Sequence, residues 1–534
     1  MAFLSIVIGL LIAAFFVRWI GLVNLDIWSD EAHSFYVASA PEGVMKALRN
    51  DPNLPLYFVL LKGWMAIFGE SLASLRGMSL AFSLLGVITN GLVAREAGAS
   101  RRTILWTLLL SALAPLSVYY AQEVRGYALG EWLIGVGLLT AIRALRRGGA
   151  LNWAAHGAAV AAAAYTHNVL ILACAGYWLA APLMRISRRQ VISMAAAHAG
   201  ALLAAIPVLG IVLHSRQSQG TAWIADLWRQ THPSLAILKS LELIGLGGGA
   251  PPYLAMLPTA VLWRILAGVL ALAGIGAAFW RQRRTEGGQE QGWQEFGRFK
   301  WLLTTFAVWP LLALWLYSVV RQPIYVVGRY DLFAQPALLL LLAAGFSRLQ
   351  SRLQAWRGKW IAAIPAGLVA LVTLAAIAGR WTFAQSVQAP FYMRRAAYLK
   401  AHLQPGDALI CTAHEALPML YYLRAWKLPL ELLTFPSDTL QRPGIFLSES
   451  ELNSRRGTWP EGARRVLDQT LAAGHFRLWI CLDSDLPQIA GKARRERALL
   501  FAQVTRDSGW RPMTADPREQ EIQWEMFMMG LTHD

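Results

Sequence analysis

Phe3-Leu-Ser-Ile-Val-Ile-Gly-Leu-Leu-Ile-Ala-Ala-Phe-Phe-Val-Arg-Trp-Ile-Gly-Leu22, followed by Val23-Asn-Leu-Asp-Ile-Trp-Ser-Asp-Glu-Ala-His-Ser34, is the stretch that decides how this chain is read. Its first part is an apolar helix of the length that crosses a hydrocarbon core of ~30 Å, which takes about 20 residues. It has no basic start and no Ala-x-Ala near its end, so it reads as an uncleaved first span. Its second part sets two adjacent carboxylates, Asp30 and Glu31, shortly beyond that span. Acidic groups just outside a bilayer call for a reason beyond solubility, and chemistry on a substrate at the lipid surface supplies one. The bland reading is an acidic helix start with Ser29 as its cap.

Working outward, the chain returns to the membrane again and again. Of its 534 residues 56% are hydrophobic and only 15% charged, where soluble proteins carry about 25% charged residues. Apolar runs recur at 75–93, 104–118, 129–145, 169–184, 191–213, 254–280, 301–320, 332–346 and 361–377. A soluble all-helical fold would have to bury all of them in one core, so the fold class is an α-helical polytopic membrane protein. The net charge of +17 does not point to nucleic acid. Its arginines and lysines cluster between spans, at 95–102, 143–147, 185–189, 281–300 and 348–359, as in cytoplasmic loops. With those clusters inside, and Leu151–Ala164 counted as a short span, about eleven transmembrane helices alternate, with the N-terminus cytoplasmic and the C-terminus outside. Residues 23–74 then form an acidic first extracytoplasmic loop, in which the apolar Leu56–Phe68 is too short to span and lies at the interface. Residues 119–127, 165–168, 215–253 and 321–331 fall on the same outer side.

From about Arg380 the apolar runs shorten and turn residues appear. Strands are expected at Ala408–Thr412, Leu430–Thr434, Phe476–Leu482 and Ile522–Phe527, with helices at Ala416–Arg424, Glu461–Ala473 and Lys492–Val504. The alternation predicts a C-terminal extracytoplasmic α/β domain over 381–534, after a transmembrane domain over 1–380. Residues 282–292 read as a mobile cytoplasmic loop. Cys411 and Cys481 fall in two of the strands, where two separate buried thiols are expected rather than a disulfide.

Several outward residues join Asp30 and Glu31 as candidates. Arg18 sits near the outer end of the first span, where a charge is costly and by default functional; a guanidinium facing the cavity would suit a lipid-linked phosphate. Glu123 and Arg125, in Tyr119-Tyr-Ala-Gln-Glu-Val-Arg-Gly-Tyr127, offer a second carboxylate and a cation. Arg329, in Tyr325-Val-Val-Gly-Arg-Tyr-Asp331, offers a planar fork for phosphate. Asp26 and Asp51 are weaker acidic candidates, each equally readable as a solvated loop acid, and His167 is a candidate for lining the site. Asp30-Glu-Ala-His33 spells a helicase box, but the phosphate-cradling loop that such a function needs is absent from the sequence. Gly245-Leu-Gly-Gly-Gly-Ala250 follows no strand and reads as an external loop, and His414-Glu415 lacks the second His of a zinc protease.

These residues together resemble the dolichyl-phosphate-mannose–protein mannosyltransferase-like family of polyprenyl-phosphate-sugar dependent membrane glycosyltransferases, which have the GT-C fold. The resemblance rests on Trp28-Ser-Asp-Glu-Ala32, on Asp51-Pro-Asn-Leu-Pro-Leu-Tyr-Phe58 with Phe68-Gly69 and Leu75-Arg76, on Ala121-Gln-Glu-Val-Arg-Gly-Tyr-Ala-Leu129, and on Arg329-Tyr330 with Pro336. It covers roughly residues 3–345. Asn53 and Leu54 stand where the family has His-Pro, and the C-terminal domain is similar only loosely. The resemblance implies an inverting transferase in the cell (inner) membrane, moving a hexose or pentose from a polyprenyl phosphate to an extracytoplasmic glycan, lipid or protein. It implies that Asp30, with Glu31, activates the acceptor hydroxyl, and that Arg18, Asp51, Tyr57, Glu123, Arg125, Tyr127, His167, Arg329 and Tyr330 contact substrate or phosphate. No cofactor is required by this reading, although a divalent metal could bridge Asp30 or Glu123 to phosphate. The alternatives are a transporter or flippase of a lipid-linked saccharide, which would more naturally show repeated halves or paired broken helices, and a polysaccharide polymerase or ligase using a diphosphate-linked donor.

Overall fold

A computed structural model of the chain describes residues 2–49, 51, 53–208, 232–247, 260–280, 290–357, 359–387, 391–412, 415–437, 453–482, 492–525 and 528–533, with a few single positions between 210 and 228. Most of the expected external loop at 215–253, residues 248–250 of the glycine-rich segment, His414 and residues 282–289 lie outside the described residues.

Among the described residues seven helices are long and apolar enough to cross a membrane: Ala2–Trp19, Leu72–Glu96, Tyr127–Arg147, Val261–Phe279, Phe296–Val320, Tyr330–Trp356 and Trp360–Gly379. An eighth crossing is a bent pair, Arg101–Leu113 and Pro115–Ala121, with a 52° angle between its halves. Pro115 causes the break, because it has no N–H to continue the ladder. The shorter helices Ala150–Ala164, Asn168–Met184 and Arg188–Ala204 occupy the places of the three remaining expected spans. Where helices meet closely the residues are small: a Cβ on Gly130 would stand 2.6 Å from the Phe333 ring, and one on Gly157 2.9 Å from the Ala197 carbonyl.

Three short helices, Ser29–Ala38, Val44–Ala47 and Leu56–Phe68, build the first loop. Leu56–Phe68 buries Tyr57, Phe58, Leu61 and Met65 while Val59, Leu60, Ile67 and Phe68 are exposed, as suits an apolar helix resting at a membrane interface. Gly69 ends it at a φ of 77°.

The C-terminal region forms a five-stranded sheet in the order β2-β1-β3-β5-β4, from β1 Ala408–Thr412, β2 Glu431–Phe435, β3 Arg477–Cys481, β4 Arg511–Pro512 and β5 Met528–Thr532. The first three strands are parallel and the last two pair antiparallel. Helices Ala416–Ala425, Trp459–Ala472 and Lys492–Asp507 follow the expected positions. The strand expected at Ile522–Phe527 is a correction. Pro517–Glu525 is helical and the strand begins at Met528: the Ile522-Gln-Trp-Glu-Met526 alternation is overridden by a helix start, where Pro517 holds the first position and Asp516 Oδ1 accepts the Arg518 N–H at 2.9 Å. Cys411 and Cys481 are register partners on β1 and β3, both buried and both free thiols.

Candidate functional site

The local order of the site begins with Arg76, at the start of the Leu72–Glu96 helix. Its Nε donates to Glu31 Oε1 at 2.8 Å and its Nη2 to Oε2 at 2.6 Å. The same guanidinium donates to the carbonyls of Leu22, Leu25 and Asp26 at 2.8 to 2.9 Å. One cation therefore ties down both the chain leaving the first span and the first turn of the Ser29–Ala38 helix. Glu31 Oε1 also accepts the Val124 N–H at 3.0 Å, which draws the 119–127 loop onto the first loop. Glu31 is fully buried. Both of its oxygens are committed, to Arg76 and to the Val124 N–H, which ties Glu31 to the packing of the first loop.

Asp30, its neighbour, points the other way. Its Oδ2 lies 3.3 Å from Arg329 Nη2 and 4.0 Å from Arg125 Nη2. Arg125 Nη1 also donates to the Asp30 carbonyl at 3.4 Å. Arg329 is aimed by its own loop: Gly328 adopts a φ of 85°, its N–H donates to Asp331 at 2.9 Å, and its carbonyl accepts the Tyr120 hydroxyl. Burial works against both cations. For Arg125 the facing Asp30 outweighs it, and for Arg329 the neighbouring Tyr127 and Asp30 do, so both are held above the ordinary arginine value.

Aromatic rings frame this charge cluster. Arg125 lies over Tyr127 at 5.9 Å and Arg329 over Trp28 at 5.9 Å. Tyr127 packs on Tyr120 at 4.6 Å, and His167 stands 4.9 Å from Tyr330 and 5.3 Å from Phe333. His167 precedes the Asn168–Met184 helix and its Nδ1 accepts the Val169 N–H at 3.2 Å. That bond fixes the tautomer with the proton on Nε2. Burial, then the charges of Arg125 and Arg329, lower its pKa to about 3. His167 is thus a neutral donor at neutral pH. Asp30, Arg125, Tyr127, His167, Arg329 and Tyr330, drawn from four segments, share one constellation.

Other expected members are engaged with other partners. Arg18 is fully buried and donates to Ser83 Oγ at 2.8 Å and to the carbonyls of Ala14, Ser111 and Ala112 at 3.1, 3.0 and 2.7 Å. Ser111 and Ala112 precede the break at Pro115, where carbonyls lose their helical partners. The donors of Arg18 are thus taken up by its own helix, by Ser83 and by the kinked helix. Asp51 Oδ2 lies 2.6 Å from His33 Nε2, and its Oδ1 accepts from the Asn53 N–H at 2.8 Å and Nδ2 at 2.6 Å. Asp51 thus folds the loop. Burial alone would raise its pKa, but His33 and Asn53 bring it below the usual value. Tyr57 is buried with its hydroxyl 3.4 Å from Ser79 Oγ, and its Cβ would meet a Cβ on Gly126 at 3.3 Å. It packs beneath the site. Glu123 is buried as well.

Arg76, His33, Trp28 and Tyr120 are the residues that sequence reasoning left out. The Leu75-Arg76 pair carried a signal, a charge opening an apolar run, and His33 was hidden inside a false helicase box.

Three of the carboxylates near the site are already engaged. Asp30 faces two guanidiniums, Glu31 serves Arg76, and Asp51 serves His33 and Asn53. Among the described residues no group of three or more His, Cys, Asp or Glu side chains is arranged to hold a metal.

No family model matches the chain, and no curated protein matches it. Solved structures do. ArnT from Cupriavidus metallidurans bound to undecaprenyl phosphate aligns with a TM-score of 0.55 and 15% identity, over 91% of this chain and 96% of that one. ArnT in the apo state gives 0.55 and 13%, over 92% and 97%. The Archaeoglobus fulgidus oligosaccharyltransferase in the apo form gives 0.51 and 12%, over 90% and 69%. The chain has the GT-C fold, a polytopic α-helical membrane region followed by a C-terminal α/β region.

Proposed function

We propose that the chain is an inverting membrane glycosyltransferase that moves a sugar from a polyprenyl phosphate to an extracytoplasmic acceptor, with Asp30 as the base. The observation that carries this reading is the Asp30 carboxylate facing the Arg329 and Arg125 guanidiniums in one aromatic-lined cluster. Its fold is that of ArnT, which has been solved with undecaprenyl phosphate bound.

In this reading the two guanidiniums receive the donor phosphate, which gives them a stronger partner than Asp30. Asp30 is then released to take the proton of the acceptor hydroxyl. The acceptor oxygen forms a bond to the sugar C1 from the face opposite the phosphate, and the C1–O–phosphate bond breaks. The polyprenyl phosphate leaves with its growing negative charge held by Arg125 and Arg329, and Asp30 carries the proton away. His167, neutral and with its proton on Nε2, donates a hydrogen bond to sugar or phosphate oxygen. The cluster stands on the extracytoplasmic side of the cell membrane, with the N-terminus cytoplasmic.

The test supplies purified protein with radiolabelled undecaprenyl-phosphate hexoses and pentoses and a membrane extract as acceptor. Label leaves the carrier with the unmodified chain and stays on it with Asp30→Ala. Movement of label across vesicles with the sugar–phosphate bond intact would overturn this reading in favour of a transporter.

A further inference from the structure

The first loop is also gripped from the opposite side, by the C-terminal region, and the grip is on Asp26. Its Oδ2 accepts the backbone N–H groups of Tyr392 and Met393, the latter at 3.2 Å. These are the first-turn amides of the Phe391–His402 helix, where free donors and the helix dipole favour a carboxylate. Its Oδ1 accepts the Tyr422 hydroxyl and the Ile27 N–H, the latter at 3.0 Å. The Asp26 carbonyl, in turn, accepts Arg76 Nη2 at 2.9 Å. Around this centre Tyr421 packs edge-on against Phe35 at 5.2 Å, and Arg424 donates to Ser39 Oγ at 2.6 Å.

The side chain of Asp26 thus belongs to the C-terminal region and its backbone to the Arg76–Glu31 pair. A continuous hydrogen-bonded route runs from Tyr392 and Tyr422 through Asp26, Arg76 and Glu31 to Val124, beside Arg125. Asp30 lies on the same short helix as Glu31. We propose that Asp26 is a positioning residue through which the C-terminal α/β region holds the first loop in the geometry that sets Asp30 against Arg125 and Arg329. This rests on the reading of Asp30 given above. It gives the C-terminal region a part in the transfer step rather than the part of an appended domain.

The experiment compares the full-length chain with Asp26→Ala and the near-isosteric Tyr422→Phe, which loses one hydroxyl and keeps the ring. Hydrogen exchange is followed at the amides of residues 28–38, and label release from undecaprenyl-phosphate sugars is measured per folded molecule. Exchange at 28–38 rises on the order of tenfold in Asp26→Ala and less in Tyr422→Phe, while the spans keep their protection. Turnover falls on the order of tenfold to a hundredfold with donor KM within about twofold, because a misplaced base costs rate rather than affinity. Unchanged exchange at 28–38 in folded Tyr422→Phe and Asp26→Ala overturns the inference, as does lowered folded yield with turnover per folded molecule unchanged. If the unmodified chain releases no label, the functional reading fails, and the exchange comparison by itself still upholds or overturns the latch.

Discussion

Arg329 Nη2 stands 3.3 Å from Asp30 Oδ2, although one residue follows the first membrane helix and the other precedes a late one. This pairing brings the two ends of the helical region to a single point. Asp30→Asn removes the base while keeping the side chain's size. Label release should fall on the order of 10²- to 10⁴-fold, while thermal unfolding in detergent stays close to that of the unmodified chain. A variant that retains full turnover would remove Asp30 from the chemistry.

Arg125 and Arg329 should not tolerate lysine. Lysine keeps the charge and loses the planar fork, so Arg329→Lys and Arg125→Lys should each weaken undecaprenyl phosphate binding about tenfold. Titration of the intrinsic tryptophan fluorescence, with Trp28 beside Arg329, measures this.

Glu31 should behave unlike Asp30. It is fully buried and bidentate to Arg76, so removing either partner leaves an uncompensated buried charge at a cost of about 3–5 kcal/mol. Glu31→Gln and Arg76→Ala should both show large losses in unfolding temperature. Equal stability with lost turnover would place Glu31 in the catalytic group.

Arg18→Met separates support from binding in the same way. The carbonyls of Ser111 and Ala112 lose their donor, so the protein should unfold earlier, while undecaprenyl phosphate affinity in the surviving folded fraction stays the same. A selective loss of affinity would support the phosphate role.

The folded pKa of His167, about 3, lies below its unfolded value of 6.5, so the unfolded state takes up the proton first. The stability tied to a neutral His167 is complete above pH 6.5 and is lost as pH falls from there toward about 3. Urea unfolding of the chain and of His167→Gln between pH 7 and pH 4 checks the sign, the variant losing less. Because His167 stays neutral through pH 5–8, it should contribute no inflection to the turnover profile in that range.

Much of this was legible in the residues. The apolar runs and the basic clusters between them located the spans, and β1 at Ala408–Thr412 was placed by five apolar or β-favouring residues between turn signals. Arg125 and Arg329 were recognisable because each stands at a span mouth in an aromatic setting. What sequence could not say was which charge meets which. Arg18 and Arg76 are both arginines at helix ends, yet each answers an acceptor far along the chain: carbonyls released by Pro115 for Arg18, and Glu31 for Arg76. Asp26 could not be told from a solvated loop acid because its partners, Tyr392 and Tyr422, lie hundreds of positions downstream. Burial of a charge is decided by contacts remote in sequence, and no local pattern records them.

The kink at Pro115 carries a consequence for how the protein is made. During synthesis the Ala2–Trp19 helix is made with a cationic side chain near its outer end whose acceptor within that helix is the Ala14 carbonyl. Ser83 Oγ follows with a later helix, and the Ser111 and Ala112 carbonyls only when the ribosome has delivered the bent segment. The full set of acceptors for this cation is therefore complete only after the third membrane crossing has been made, which couples the seating of the first helix to the chain around Pro115.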